Sequence, residues 1–217
     1  MGECIVLYGK SASGKSRSLK GFAPDEIFYV NVSNKRLPFP TQFKYELKTA
    51  DAKLIVNGLK KMPTKIAVID DAGYIQTNSF MAGHSQPKNG SNQFELYNTI
   101  ADDIWNILKC VKGLPDDITV YMVFHEEIND YGDSKIRTIG KLLDQKVCIE
   151  GLCTVVLHCM TMDGKHIFRT NSDGKDIAKS PEDMFPAEID NDLKAVDDRI
   201  REFWGIGKST GDENAQS

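Results

Sequence analysis

Cys4-Ile-Val-Leu-Tyr8 runs directly into Gly9-Lys-Ser-Ala-Ser-Gly14-Lys15-Ser16, and the architecture follows from that junction. The apolar run is short and stops at a glycine, which predicts a strand buried on both faces of a parallel sheet. Ser16 to Lys20 predicts a helix that ends near Gly21 and Pro24. The spacing G-x-x-x-x-G-K-S therefore falls between a strand and a helix, the context in which it cradles phosphate. Its glycines permit a loop tight enough for successive N–H groups to converge on a β-phosphate, beside the positive end of a helix. Lys15 is placed to bridge the β- and γ-phosphates, and the Ser16 hydroxyl to ligate Mg²⁺. Lys10, Ser11, Ala12, Ser13 and Arg17 complete the expected cofactor-binding stretch from Gly9 to Arg17. The expected cofactors are ATP and Mg²⁺, and the expected activity is ATP hydrolysis.

Ile66-Ala-Val-Ile69-Asp70 supplies a second apolar strand ending in an acid, and Asp70 would hold Mg²⁺ through its water shell. Asp71 is the candidate to polarise the attacking water, with a helix cap or turn former as the bland alternative. Glu95, Glu126 and Glu127 stand in reserve. The strand Ile118–Phe124 ends at His125, where a polar side chain faces the ligand crevice and can sense a γ-phosphate. The competing reading of His125 is a satisfied strand-end histidine.

Outward from these motifs, strands are expected at Ile27–Val32, Leu152–His158 and His166–Arg169, the last two as a hairpin across Met162-Asp-Gly-Lys165. Helices are expected at Lys53–Lys61, Phe94–Val111 and Asp190–Trp204, with Asp190 or Asn191 as the cap of the last. A short helix is possible over Thr138–Gln145. Gly73–Asn92 and Glu126–Lys135 read as polar loops, and 178–186 as irregular. Alternation of strand and helix gives an α/β fold with a mostly parallel sheet, in one domain over residues 1–206 with a disordered polar tail at 207–217.

With 217 residues, a net charge of −4 and 27% charged residues, the composition is that of an ordinary globular chain and excludes a protein that coats nucleic acid with its whole surface. The five cysteines include no Cys-x-x-Cys pair and predict reduced thiols, mostly buried. His158 and Cys159 are neighbours in a strand and point to opposite faces, which argues against a shared metal. No leader and no apolar run of membrane-spanning length is present, so a cytoplasmic protein without a membrane partner is expected.

Asn34-Lys35-Arg36-Leu37 lacks the aspartate of a guanine-specificity motif, and Arg17, Arg36, Arg137, Arg169, Arg199 and Arg201 are scattered rather than gathered in a kinase-like lid. A nucleotide kinase is the alternative enzyme, and a nucleotide-gated binding protein with slow hydrolysis the alternative module. The series GKSASGKS, NVSNKRLPFP, AVIDDAGYI, VFHEE, RTIGKLLDQKVCIEGL and TNSDGKDIAKSPEDMF resembles small phage-encoded RecA-like P-loop ATPases associated with single-strand annealing recombination. The resemblance spans residues 3 to 204. It implies a RecA-like core in the host cytoplasm, acting on single-stranded DNA with a single-strand-binding or annealing protein, as a homo-oligomer. It carries over Gly9–Ser16, Asp70 and His125 in the roles above, and makes Lys179, or else Lys175, the basic residue offered to a neighbouring subunit's site. The position after the second strand reads Asn31-Val-Ser-Asn34 without an acid, which is why Asp71 takes the role of base. DNA contact is assigned to the basic patch Lys135, Arg137, Lys141 and Lys146, with Tyr74, Phe80 and Tyr131 offering stacking surfaces.

Overall fold

The computed structural model describes residues 1–84, 91–139 and 148–207. Nine strands are present among them: β1 (Glu3–Gly9), β2 (Ile27–Asn31), β3 (Tyr45–Leu47), β4 (Ile66–Asp70), β5 (Thr119–Ile128), β6 (Ser134–Ile136), β7 (Val155–Met162), β8 (Lys165–Arg169) and β9 (Glu188–Asp190). The helices are α1 (Ala52–Lys61), α2 (Gly73–His84), α3 (Ser91–Lys112) and α4 (Leu193–Trp204). The sheet runs in the order β3-β2-β4-β5-β1-β7-β8-β9, with β6 paired to the end of β5. β1 to β5 and β7 are mutually parallel, while β8 and β9 add antiparallel strands.

Strand alternation sorts the core into two layers. Cys4, Val6 and Tyr8 of β1 pack with Ile55 and Leu59 of α1, Ile75 of α2 and Ile104 and Ile107 of α3 on one face. Ile5 and Leu7 pack with Leu19 and with Leu193, Val196 and Ile200 of α4 on the other. Helices therefore cover both faces, and the ligand-accessible rim is the one where β1, β2, β4 and β5 end. Asp51 caps α1 by accepting from Lys53 N (2.8 Å) and Leu54 N (3.2 Å).

Several expectations need correction. Gly73–His84 is a helix, α2, rather than loop: its apolar residues form no stripe, but Ile75 and Gln76 are fully buried against the sheet and Ser79 Oγ donates to Asp103 Oδ2 of α3 (2.6 Å). Burial of single positions outweighs the missing periodicity. Glu126–Lys135 is a hairpin, because β5 continues to Ile128 and pairs with β6. Only a six-residue 3₁₀ turn, Ser16–Gly21, follows the glycine-rich loop, and the α4 cap is Asp192, one residue beyond the expected pair. The short strands β3 and β9 were not foreseen. The β7–β8 hairpin is as expected, with Met162 opposite Lys165 and positive φ at Asp163 and Gly164. Residues 140–147, the helix expected there in the main, and the tail from 208 lie outside the described residues.

Candidate functional site

The loop Gly9–Ser16 leaves the carboxyl end of β1, a strand with parallel partners on both sides. Glycine is required twice. A Cβ on Gly9 would lie 2.2 Å from the Cys159 carbonyl oxygen, and Gly14 has φ of +101° with His166 and Asn191 against it. The loop is braced from behind by Ser13 O, which accepts from Cys159 Sγ (3.0 Å) and His166 Nδ1 (3.0 Å). Burial raises the Cys159 thiol to about 11, so it stays a protonated donor.

Lys15 is only 6% exposed, and its ammonium curls back to donate to the carbonyls of Gly9 (2.8 Å) and Lys10 (2.5 Å). Burial lowers its pKa, against the Cys159 thiol and the Asp71 and Asp70 carboxylates. Ser16 Oγ donates to Asp70 Oδ2 at 2.8 Å, and the Tyr29 hydroxyl of β2 donates to the same oxygen at 3.0 Å. Asp70 Oδ1 is buried with no partner among the described residues. Burial, then the charge of Asp71, pushes the Asp70 carboxyl above the usual range despite the Ser16 and Tyr29 bonds. A buried carboxylate with one idle oxygen beside a serine hydroxyl is a donor set that fits a hydrated divalent cation.

Asp71 is turned away from the strand by a left-handed backbone (φ +62°). Its Oδ2 accepts from Ser33 Oγ (2.7 Å) and Lys35 Nζ (2.8 Å), and its Oδ1 lies 3.2 Å from His125 Nε2, close but off the hydrogen-bonding axis. Burial opposes the charge, yet His125, Lys35 and Ser33 outweigh it and hold this carboxyl far below the ordinary range. Ser33 and Lys35 thus both engage one oxygen of the carboxylate expected to act as base.

Lys15, Ser16, Asp70, Asp71 and His125 line one cavity of about 550 Å³, together with Arg17, Lys20, His166 and the segment from Ser33 to Pro40. Of the expected cofactor-binding stretch, Ser11, Ala12, Gly14, Lys15, Ser16 and Arg17 thus share one wall with Asp70 and His125, whereas Lys10 and Ser13 line a second cavity. Lys179 is not on the cavity wall; its backbone bridges Val156 of β7. Lys175 lines a different cavity of about 520 Å³ behind the loop, with Lys10 and Glu126. Glu126 faces that side, with Oε2 2.9 Å from His158 Nε2, while Glu127 and Glu95 are exposed. Of the expected DNA patch, Lys135 lies on β6 and Arg137 just after it, where the Arg137 N–H donates to His125 O (2.8 Å). Lys141 and Lys146 lie outside the described residues. Sequence reading missed Tyr29, Ser33, Lys35 and His166, since nothing local marks a strand tyrosine or a turn lysine as a partner of Asp70 or Asp71.

The fold and site define a mostly parallel α/β protein with a glycine-rich loop facing a serine–aspartate pair at the carboxyl ends of its strands. The chain matches no protein-family model, and no curated protein matches it. Among the described residues, no helix is long and apolar enough to cross a membrane.

Proposed function

We propose that the chain is a RecA-like P-loop ATPase that binds ATP with Mg²⁺ in the 550 Å³ cavity. The observation that carries this is the 2.8 Å bond between Ser16 Oγ and Asp70 Oδ2 beside the buried, backbone-tethered ammonium of Lys15. Lys15 trades the carbonyls of Gly9 and Lys10 for phosphate oxygens, and the loop's N–H groups hold the β-phosphate. Ser16 Oγ and, through water, Asp70 would hold the Mg²⁺, which when bound neutralises charge between the β- and γ-phosphates. His125 borders the position of the terminal phosphate, while Asp71 accepts from Lys35 (2.8 Å).

Single-stranded DNA is the proposed stimulator, acting near the β5–β6 hairpin. Tyr131 at the hairpin tip is 91% exposed, an aromatic surface on which a base can stack. Asn129 Nδ2 donates to Asp133 Oδ2 (2.9 Å), which ties one acid of that turn to the protein itself.

The test is ATP turnover with and without single-stranded DNA. Stimulated turnover supports the reading. Turnover that needs an added nucleotide acceptor makes the protein a kinase, and tight ATP binding without turnover makes it a nucleotide-gated binder.

A further inference from the structure

Lys35 lies outside the phosphate loop and the strand-end acids, yet one side chain holds both its backbone N–H and its carbonyl. Asn31, 3% exposed at the end of β2, grips it from both sides: Asn31 Oδ1 accepts from Lys35 N (3.1 Å) and Asn31 Nδ2 donates to Lys35 O (2.8 Å). A second donation from Asn31 Nδ2 to Glu46 Oε1 (3.0 Å) fixes that amide to β3. A buried amide spent on one residue's backbone is a device for aiming a side chain.

The aim is into the cavity. β4 and β5 stand between β2 and β1, so three strand spacings, roughly 14 Å, separate the Lys35 turn from the glycine-rich loop. Lys15 stands at one end of that gap and Lys35 at the other, with Asp70 and Asp71 on the floor. Cations at both ends and carboxylates below suit a polyanion that brings its own divalent cation. Lys15 and Arg17 already have buried or half-buried partners, in the loop carbonyls and in Asn191 Oδ1 (3.2 Å). Lys35 differs: its side chain is 61% exposed, and its ammonium rests on Asp71 Oδ2 at 2.8 Å and 5.3 Å above the Tyr74 ring. Only the lysine end of this pair is exposed, and the buried Asp71 carboxylate keeps the Ser33 hydroxyl (2.7 Å) as a donor when the ammonium moves.

We infer that Lys35 binds the terminal phosphate of the triphosphate, leaving Asp71 to do so, and thereby distinguishes triphosphate from diphosphate within a single subunit. This rests on the proposed nucleotide site. The Tyr74 ring under the ammonium stands edge-on to His125, with centroids 5.8 Å apart. Asp71 holds the cation in this structure and continues to do so with diphosphate; with triphosphate the cation crosses over.

The experiment is calorimetric titration of the full chain with Mg²⁺ and either ADP or the non-hydrolysable AMP-PNP, for wild type, Lys35→Met and Lys35→Arg. The wild type should prefer AMP-PNP. Lys35→Met should weaken AMP-PNP by about 10- to 100-fold, the worth of one charge-assisted bond, and leave ADP within about twofold. Lys35→Arg should restore most of the preference. Equal losses for both nucleotides, no loss in Lys35→Met, or a wild type indifferent to the third phosphate would each overturn the inference while leaving the nucleotide site intact. A wild type that binds neither nucleotide would instead overturn the proposed function itself.

Discussion

Ser16 Oγ and Asp70 Oδ2, separated by 54 positions in the chain, meet at 2.8 Å across the mouth of the sheet. Two strands that are not neighbours, β1 and β4, are brought together there by β5 between them. Removing the Ser16 hydroxyl leaves Asp70 with Tyr29 alone. Ser16→Ala should therefore lower the Mg²⁺-dependent gain in triphosphate affinity by about tenfold or more and keep most metal-free binding. Titration with and without a chelator reads this directly, and an unchanged magnesium dependence would show that the pair does not mark the metal.

Lys15→Ala removes the ammonium that donates to the loop carbonyls of Gly9 and Lys10. Triphosphate affinity should fall by about 100-fold or more, because the lost contacts are charge-assisted and buried. Fluorescent-nucleotide binding checks this. Normal affinity or turnover in the variant would refute the assignment.

Asp70 and Asp71 are adjacent but should respond oppositely to neutralisation. Asp70 is a buried carboxylate with an idle oxygen, whereas Asp71 is engaged by Ser33 and Lys35. In the nucleotide-free protein Asp70→Asn should raise stability by about 1 kcal/mol, and Asp71→Asn should lower it by about 1–3 kcal/mol. Urea titration of the two variants decides it. The pattern would be that of a site strained in favour of function.

The pH dependence follows with opposite signs. The folded Asp70 carboxyl sits above its ordinary value, so as pH falls the native state takes up this proton before the unfolded state does. The stability gap between wild type and Asp70→Asn should therefore narrow from pH 7 toward about pH 4. The Asp71 carboxyl sits below its ordinary value, so its contribution is present above about pH 4 and is lost only as pH drops further. Melting curves at stepped pH would show the first gap closing before the second.

Gly9 and Gly174 offer a paired test of backbone packing. A Cβ at Gly9 would strike the Cys159 carbonyl at 2.2 Å, while one at Gly174, with φ of +95°, would meet nothing within 4 Å. Gly9→Ala should destabilise by about 3 kcal/mol or more, and Gly174→Ala by about 1 kcal/mol from backbone strain alone. Similar losses at both positions would mean that the loop relaxes around the added methyl.

What the sequence displayed was whatever is written locally. The apolar runs of β1 and β4 end at a glycine and at an acid, and those endings put Gly9 and Asp70 on the rim without knowledge of any partner. What it concealed depends on contacts far apart in the chain. Lys35 meets Asp71 across 36 positions, and Tyr29 reaches Asp70 across 41. Helix α2 escaped notice because Ile75 and Gln76 are buried without a repeating stripe around them. Asp71 was legible as a charged residue next to Asp70, but its donors Ser33 and Lys35 were not, since they lie 38 and 36 positions away in the chain.

Both margins of the sheet are three residues long, and both are acidic: β3 exposes Glu46, and β9 exposes Glu188 and Asp190. Such borders offer little backbone for another strand to zip onto, and their charges interrupt what there is. Any contact between copies of this chain at these borders would thus have to be made by side chains and loops rather than by a continued sheet.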